Sequence, residues 1–410
     1  MTEQNRKQQA AKVWLLVLVA SLGYFVDIYD LVIFSIVRVQ SFKDIGVSPE
    51  SMRTDGEYVL NMQMIGLLLG GLLWGIIGDK FGRVRVLFGS ILLYSLANMA
   101  NSFVHDVDSY AWIRFIAGIG LAGELGAGVT LVSESMPREK RGYGTMLIAG
   151  IGVIGAIAAF YTAEHFAWRN AYLVGGGMGL LLLFMRLGTF ESGLFTDTAQ
   201  KDVLKGRFFM LFQTKERFLR YLYCMLIGLP IWFIVGILIT QAPEFGIALG
   251  AAEALSAGKG IMYAYIGISL GDIFAGLYAQ VTKSRKKAVF FFQLLIIVSS
   301  LWYLGSDGIT AEKFSWLAFF MGFSVGYWAT FVTIASEQFG TNLRATVATT
   351  APNFVRGALV PSTFLFEWLV DRFDIIHAAM MMVIFLSAVA MFALSQLKES
   401  FDKDLNYIEE

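Results

Sequence analysis

Residues 75–85 read Gly75-Ile-Ile-Gly78-Asp79-Lys80-Phe81-Gly82-Arg83-Val84-Arg85. The stretch holds one acid and three bases, and it is wedged between apolar runs at 58–78 and 86–104. A bilayer crossing needs about 20 mostly apolar residues, so each flank is long enough to span. The stretch itself is then a tight connection at a membrane boundary. Gly82 permits the turn. Asp79 sets a carboxylate where a helix N-terminus favours negative charge, and Arg83 can pair with an acid such as Glu134. The plainer alternative is a basic loop with no role beyond topology.

Working outward, apolar runs recur near 11–37, 58–78, 86–104, 109–136, 143–165, 170–189, 218–240, 259–281, 288–305, 313–336, 345–370 and 377–397. They are too long and too continuous for barrel strands of about 9–11 residues with a two-residue period. Backbone groups in lipid must pair within the segment, which leaves helices. Twelve transmembrane helices are therefore predicted, an all-α membrane protein. Composition agrees: of 410 residues, 56% are hydrophobic and 16% charged, against about 25% charged in soluble domains. The first run exceeds a signal-peptide core and lacks a small-residue cleavage site, so it reads as a retained helix. Balanced charge, with 32 basic and 32 acidic residues, gives no basic excess for nucleic acid. One cysteine, Cys224, excludes a disulfide framework, and three scattered histidines argue against a metal centre.

Placing the N-terminus in the cytoplasm, and counting bases near span ends with the adjacent loop, puts 23 basic residues on that side and 7 opposite, with Arg114 and Arg356 deeper inside spans. This is the positive-inside pattern, and an even number of spans puts both termini in the cytoplasm of a plasma or bacterial inner membrane. The longest polar interruption, 190–217, reads as a cytoplasmic linker between six-helix bundles at 1–189 and 218–410. Its part 203–218 is either an amphipathic surface segment or a solvated tether. Glu134 and Arg141 recur as Glu337 and Arg344, and Gly75 recurs as Gly276, at offsets of 201–203 residues. Parallel half-repeats around a midplane site are a transporter architecture.

Charged residues inside apolar helices are costly, so they normally have a partner or a water path. Span one holds Asp27 and Asp30, three residues apart and expected on one face. Span four begins Arg114-Phe-Ile-Ala-Gly118-Ile-Gly120 and continues to Gly123-Glu124-Leu-Gly126. Asp27, Asp30 and Glu124 are candidate proton carriers with Arg114 as their tuning cation; the rival is a set of structural ion pairs. Arg356 is the one base deep in the second half, in Pro352-Asn353-Phe-Val-Arg356-Gly357. A guanidinium grips carboxylates as a fork, which points to an organic-anion cargo; the rival is a partner role for Glu367 or Asp272. Trp232, Tyr327, Trp328 and Asn353 complete the candidate pocket, though such aromatics also serve as packing or interface anchors.

The 75–85 stretch resembles the loop signature G-x-x-x-D-[RK]-x-G-R-[RK]-[RK] of the major facilitator superfamily, with Val84 at one basic position. Arg114 to Gly120 resembles that superfamily's fourth-helix motif. Val26-Asp27-Ile28-Tyr29-Asp30, Gly123-Glu124-Leu125-Gly126, Glu191-Ser192-Gly193 and Glu337 to Thr346 resemble its metabolite:proton symporters, related to sugar and aromatic-acid porters. The second-half loop copy departs from the pattern, with Gln280 for the acid and Lys283 for the glycine. Span five lacks the Gly-Pro pair of drug antiporters, and span seven lacks the paired glutamines of sugar porters. The resemblance implies two bundles rocking around a midplane site, carrying a small polar metabolite inward with protons. Asp30 is the expected coupling acid. Asp79, Arg83, Glu134, Arg141, Glu337 and Arg344 are the expected cytoplasmic gate. No cofactor, metal or catalytic group is expected, and the chain is expected to act as a monomer in the bilayer. An exporter of amphipathic or cationic compounds, or a sensor that moves nothing, are the alternatives.

Overall fold

A computed structural model describes residues 3–81, 83–123, 141–191, 208–401 and 408–409. No strand occurs among the described residues. The first half holds α1 (Glu3–Asp44), α2 (Met52–Phe81), α3 (Arg83–Asn101), α4 (Val107–Leu121), α5 (Arg141–His165) and α6 (Trp168–Glu191). After a short 3-10 turn at Phe208–Phe212 come α7 (Lys215–Leu226), α8 (Leu229–Phe233), α9 (Ala242–Ala248), α10 (Ala257–Thr282) and α11 (Arg285–Leu304). The chain continues with α12 (Ala311–Ser324), α13 (Trp328–Glu337), α14 (Thr341–Gly357), α15 (Leu359–Val370) and α16 (Ile375–Gln396).

Among the described residues, seven stretches are long and apolar enough to cross a membrane, and Val86–Asn101 and Ile151–His165 are shorter apolar helices. The other expected crossings are cut by residues outside the description or by breaks. The linker falls mostly at 192–207, outside it. Caps explain where helices start: Ser256, Ser284 and Thr310 each accept a backbone N–H three residues on, worth about 1 kcal/mol apiece. Asp106 does the same for α4, and the Ser109 N–H it accepts holds its carboxyl below the usual range.

Three expected spans are interrupted. Span seven stops at α7, restarts at Gly228 with Pro230 in the first turn, and runs into a π-helical stretch, Ile234–Ile239. Span ten breaks at Val325–Tyr327 between α12 and α13, and span eleven at Ala358 between α14 and α15. Broken helices are where transporters put their sites.

Glycine contacts carry the internal repeat into three dimensions. A Cβ on Gly66 of α2 would stand 2.1 Å from the Phe115 carbonyl oxygen of α4; one on Gly267 of α10 would stand 2.2 Å from that of Phe319 on α12. Across the same contacts, Gly118 faces Gln63 at 2.2 Å and Gly322 faces Ala264 at 2.1 Å. Both helix pairs thus approach backbone to backbone, at sites about 200 residues apart. Small residues permit such approach in membranes.

Candidate functional site between the two halves

Arg114 is fully buried in the first half. Its Nε donates to Gln63 Oε1 (3.3 Å), Nη1 to Asn98 Oδ1 (3.0 Å) and Nη2 to the backbone oxygen of Asp30 (2.8 Å). The Tyr172 ring lies beneath it, 5.7 Å away. Arg114 therefore holds Asp30 through its main chain, not through the structural ion pair that was the rival reading. The Asp30 carboxyl is sealed from solvent, and neither oxygen has a well-formed hydrogen bond. It lies beside the Asn98 amide and under Gly175 of α6, where a Cβ would come within 2.6 Å of Oδ1.

Asp27, buried on the same side of α1, meets different neighbours. Three residues advance a helix by about 300°, leaving about 60° between the two side chains. That suffices to turn Asp27 to the seam and Asp30 into the bundle. Asp27 lines a small cavity with Tyr24, Ile28 and Leu31 of α1, Leu67 of α2, Leu121 of α4 and Arg356 of α14. About 10 Å³ is open to the centres of water-sized molecules, roughly the room of a single water. The halves are closed around this point, so admitting a cargo requires them to part.

Arg356 is the centre of the site. Its guanidinium lies 5.6 Å from the Trp232 ring and 5.4 Å from the Trp328 ring. The two rings meet edge to face, 6.4 Å apart at 77°. Nη1 donates to Asn353 Oδ1 (3.3 Å), while Nε has no hydrogen-bond partner. The indole N–H of Trp232 is also unpartnered. Tyr24 and Tyr265 stand close enough to act electrostatically on Arg356, as does Asp27. Asn353 spans the seam: its Nδ2 donates to the Ala122 carbonyl oxygen of the first half (3.4 Å). Two orphaned donors beside two indoles suit a planar, negatively charged ligand.

Tyr327 does not join this pocket. It is fully buried, donates to the Ile227 carbonyl oxygen (2.9 Å) and accepts from Gln293 Nε2 (2.8 Å). The break in span seven strands that carbonyl, and Tyr327 satisfies it. The rival partners for Arg356 are engaged elsewhere. Asp272 Oδ1 accepts from the backbone N–H of Ala329 at the start of α13 (2.9 Å), and Glu367 pairs with Arg53.

Of the expected gate, Glu134 lies outside the described residues, as does the candidate carrier Glu124. Asp79, Arg83 and Arg141 sit at described helix ends, but their side chains lie outside the description. Glu337 forms an ion pair with Arg285 (2.7 Å), and Arg344 Nη2 reaches the Phe339 carbonyl oxygen at 3.5 Å. Arg285 stands 202 residues after Arg83, so the degraded loop copy keeps its arginine.

The sequence reading missed a charged cluster at the opposite end of the seam. Arg38 of α1 forks onto Glu244 of α9 (2.6 and 2.8 Å) and donates to the carbonyl oxygens of Thr240 (3.1 Å) and Met52 (3.0 Å). Arg53 of α2 pairs with Glu57 (3.3 Å) and, across the seam, with Glu367 of α15. Gln241 donates to Glu57. Charged residues near span ends read as interface anchors in one dimension, so only their cross-seam partners reveal them.

Two sets of helices with a cationic, aromatic site between them, and broken helices beside it, define the architecture of a membrane carrier. The family model of the Major Facilitator Superfamily matches residues 14–354. The chain belongs to that superfamily, whose members are transporters and not enzymes. It is 33% identical over 162 residues to the niacin transporter NiaP of Acinetobacter baylyi, covering 38% of this chain and 36% of that protein. It is 27% identical over 278 residues to the sialic acid transporter NanX of Escherichia coli, 66% of each. It is 28% identical over 182 residues to the 4-hydroxybenzoate transporter PcaK of Pseudomonas putida, 43% of this chain and 40% of that protein. Matches to the first curated relatives span 36–49% of those proteins' length. A solved D-xylose-proton symporter superposes with a TM-score of 0.70 at 18% identity, covering 96% of this chain and 100% of that one; it shares the fold.

Proposed function

We propose that the chain imports a small aromatic monocarboxylate together with a proton, by alternating access of its two halves about the Arg356 site. The observation that carries the reading is Arg356 itself, set between Trp232 and Trp328 with an unpartnered Nε. A ring packed against the indoles and a carboxylate on the guanidinium would engage the unpartnered groups there. Niacin and 4-hydroxybenzoate, named for two relatives, are acids of this kind. Asp30 is the coupling acid. A charge on its buried, unbonded carboxyl would cost several kcal/mol, and a proton removes that charge. Asn98 lies between Asp30 and Arg114, so a shift of either helix alters the balance. The termini face the cytoplasm, with residues 1–189 and 218–410 as the moving bodies and 190–217 as the tether.

The test is uptake into proteoliposomes from a panel of nicotinate, 4-hydroxybenzoate, nicotinamide, cyclohexanecarboxylate and xylose. The two aromatic acids should accumulate under an inward proton gradient. Arg356→Lys keeps the charge but loses the fork and the stacking. A charge-assisted hydrogen bond is worth about 1.5–3 kcal/mol, so affinity for the acids should fall about tenfold or more. Uptake of xylose without uptake of either acid would overturn the reading.

A further inference from the structure

The charged cluster at the α1–α2 end of the seam is unbalanced. Arg38 and Arg53 supply two positive charges, while Glu57, Glu244 and Glu367 supply three negative ones. Arg38 and Glu244 satisfy each other as a fork and are 1% and 18% exposed. That leaves Arg53 alone to serve both Glu57 and Glu367. The same Nη1 reaches both carboxyls, and the two lie within hydrogen-bonding reach of each other. Glu57 is 5% exposed and also takes the Gln241 amide. Arg38 cannot make up the deficit, because it packs on Gly56 with its Nη atoms committed to Glu244, Met52 and Thr240. Asp55, on the same turn of α2, is half-buried and bonds to none of the five. Asp371 and Arg372, beyond α15, are exposed.

Two carboxylates that share one guanidinium nitrogen, one of them buried and the other only a quarter exposed, are strongly disfavoured from both staying charged. We propose that the buried Glu57 takes up one proton in the closed state and donates it in a hydrogen bond to Glu367, so that this end of the seam seals only by taking a proton from the medium on its own side. The two acids come from opposite halves, so the shared proton is itself a bond across the seam. Opening the mouth hydrates both groups and returns the proton to the same compartment. The seal is thus a pH-sensitive bolt, separate from the Arg356 site and from Asp30.

The test needs no cargo. A Leu67→Cys reporter lines the central cavity, on a Cys224→Ser background that removes the buried native thiol. A membrane-impermeant maleimide is applied from the α1–α2 face, with right-side-out and inside-out vesicles run in parallel. The labelling rate is corrected for the reagent's own pH dependence, using an exposed control cysteine. For a one-proton bolt the rate should rise about tenfold per pH unit where the proton leaves. Glu57→Gln and Glu367→Gln each mimic the protonated carboxyl and balance the charge, so labelling should be slow and independent of pH. Monodisperse elution identifies folded variants, and either one folded suffices. A parent rate that ignores pH, or a folded variant that keeps the parent's slope, overturns the proposal.

Discussion

Asp27 and Asp30 show how far a residue can be read before its neighbours are known. Both stand out in the sequence because charges inside an apolar helix need a reason. Their different surroundings were not legible, since these turn on about 60° of helix rotation. The structure sends Asp30 to Asn98 and Gly175, and Asp27 to the seam with Arg356. Asp30→Asn holds the neutral form permanently. It should abolish accumulation under an imposed proton gradient while leaving exchange of labelled for unlabelled acid within about threefold, a loss under roughly 1 kcal/mol. Asp27→Asn should instead tighten binding of an acid, because it removes a negative charge opposite Arg356. Accumulation that survives Asp30→Asn but fails in Asp27→Asn would move the coupling role to the seam. Arg356, Trp232 and Trp328 were legible from burial cost and ligand chemistry. Tyr24 and Tyr265 were not, because an aromatic in an apolar run looks like packing.

At the scale of elements, all twelve apolar runs were visible, but the breaks in spans seven, ten and eleven were not. A break at Val325–Tyr327 or a π-helical stretch at Ile234–Ile239 leaves the hydropathy pattern unchanged. It depends on what sits beside the helix, as Asp272 does at the start of α13. The repeat was legible in a few acids, bases and glycines, and its mechanical meaning lies in the helix pairs α2/α4 and α10/α12. A side chain at Gly118 or Gly322 would set its Cβ 2.2 or 2.1 Å from a backbone carbonyl oxygen, which must then move away. Overpacking of this sort costs about 1–3 kcal/mol, sometimes more. Gly118→Val and Gly322→Val should therefore lower the midpoint of thermal unfolding by similar amounts, while Gly75→Ala, inside α2 where a Cβ meets nothing within 4 Å, should hold or raise it. A drop in only one half would show that the two contacts are not equivalent.

For the molecule as a whole, the charge carried per cycle decides which force drives it. A monoanion with one proton moves no net charge, so uptake should follow the pH difference, about tenfold accumulation per unit at equilibrium. It should ignore a potassium diffusion potential. A neutral cargo with one proton would gain about 2.3 kcal/mol per 100 mV, roughly 50-fold. The proton shared by Glu57 and Glu367 returns to its own compartment, so it leaves this ratio untouched. Flux measured with valinomycin at equal pH separates the cases: appreciable accumulation there would exclude electroneutral transport of an acid.

The Asn353 side chain ties cargo chemistry to motion. Its oxygen is held by Arg356 and its nitrogen by Ala122 in the other half. An acid that draws the guanidinium toward itself strips Asn353 of one anchor and slackens the very stitch that must part for the halves to rock. An aromatic amide of the same outline carries no charge to draw Arg356 away. Nicotinamide should then lodge against the indoles and jam the carrier, competing with nicotinate for binding yet showing no counterflow of its own. Counterflow of nicotinamide as fast as that of nicotinate would mean the stitch yields to shape alone.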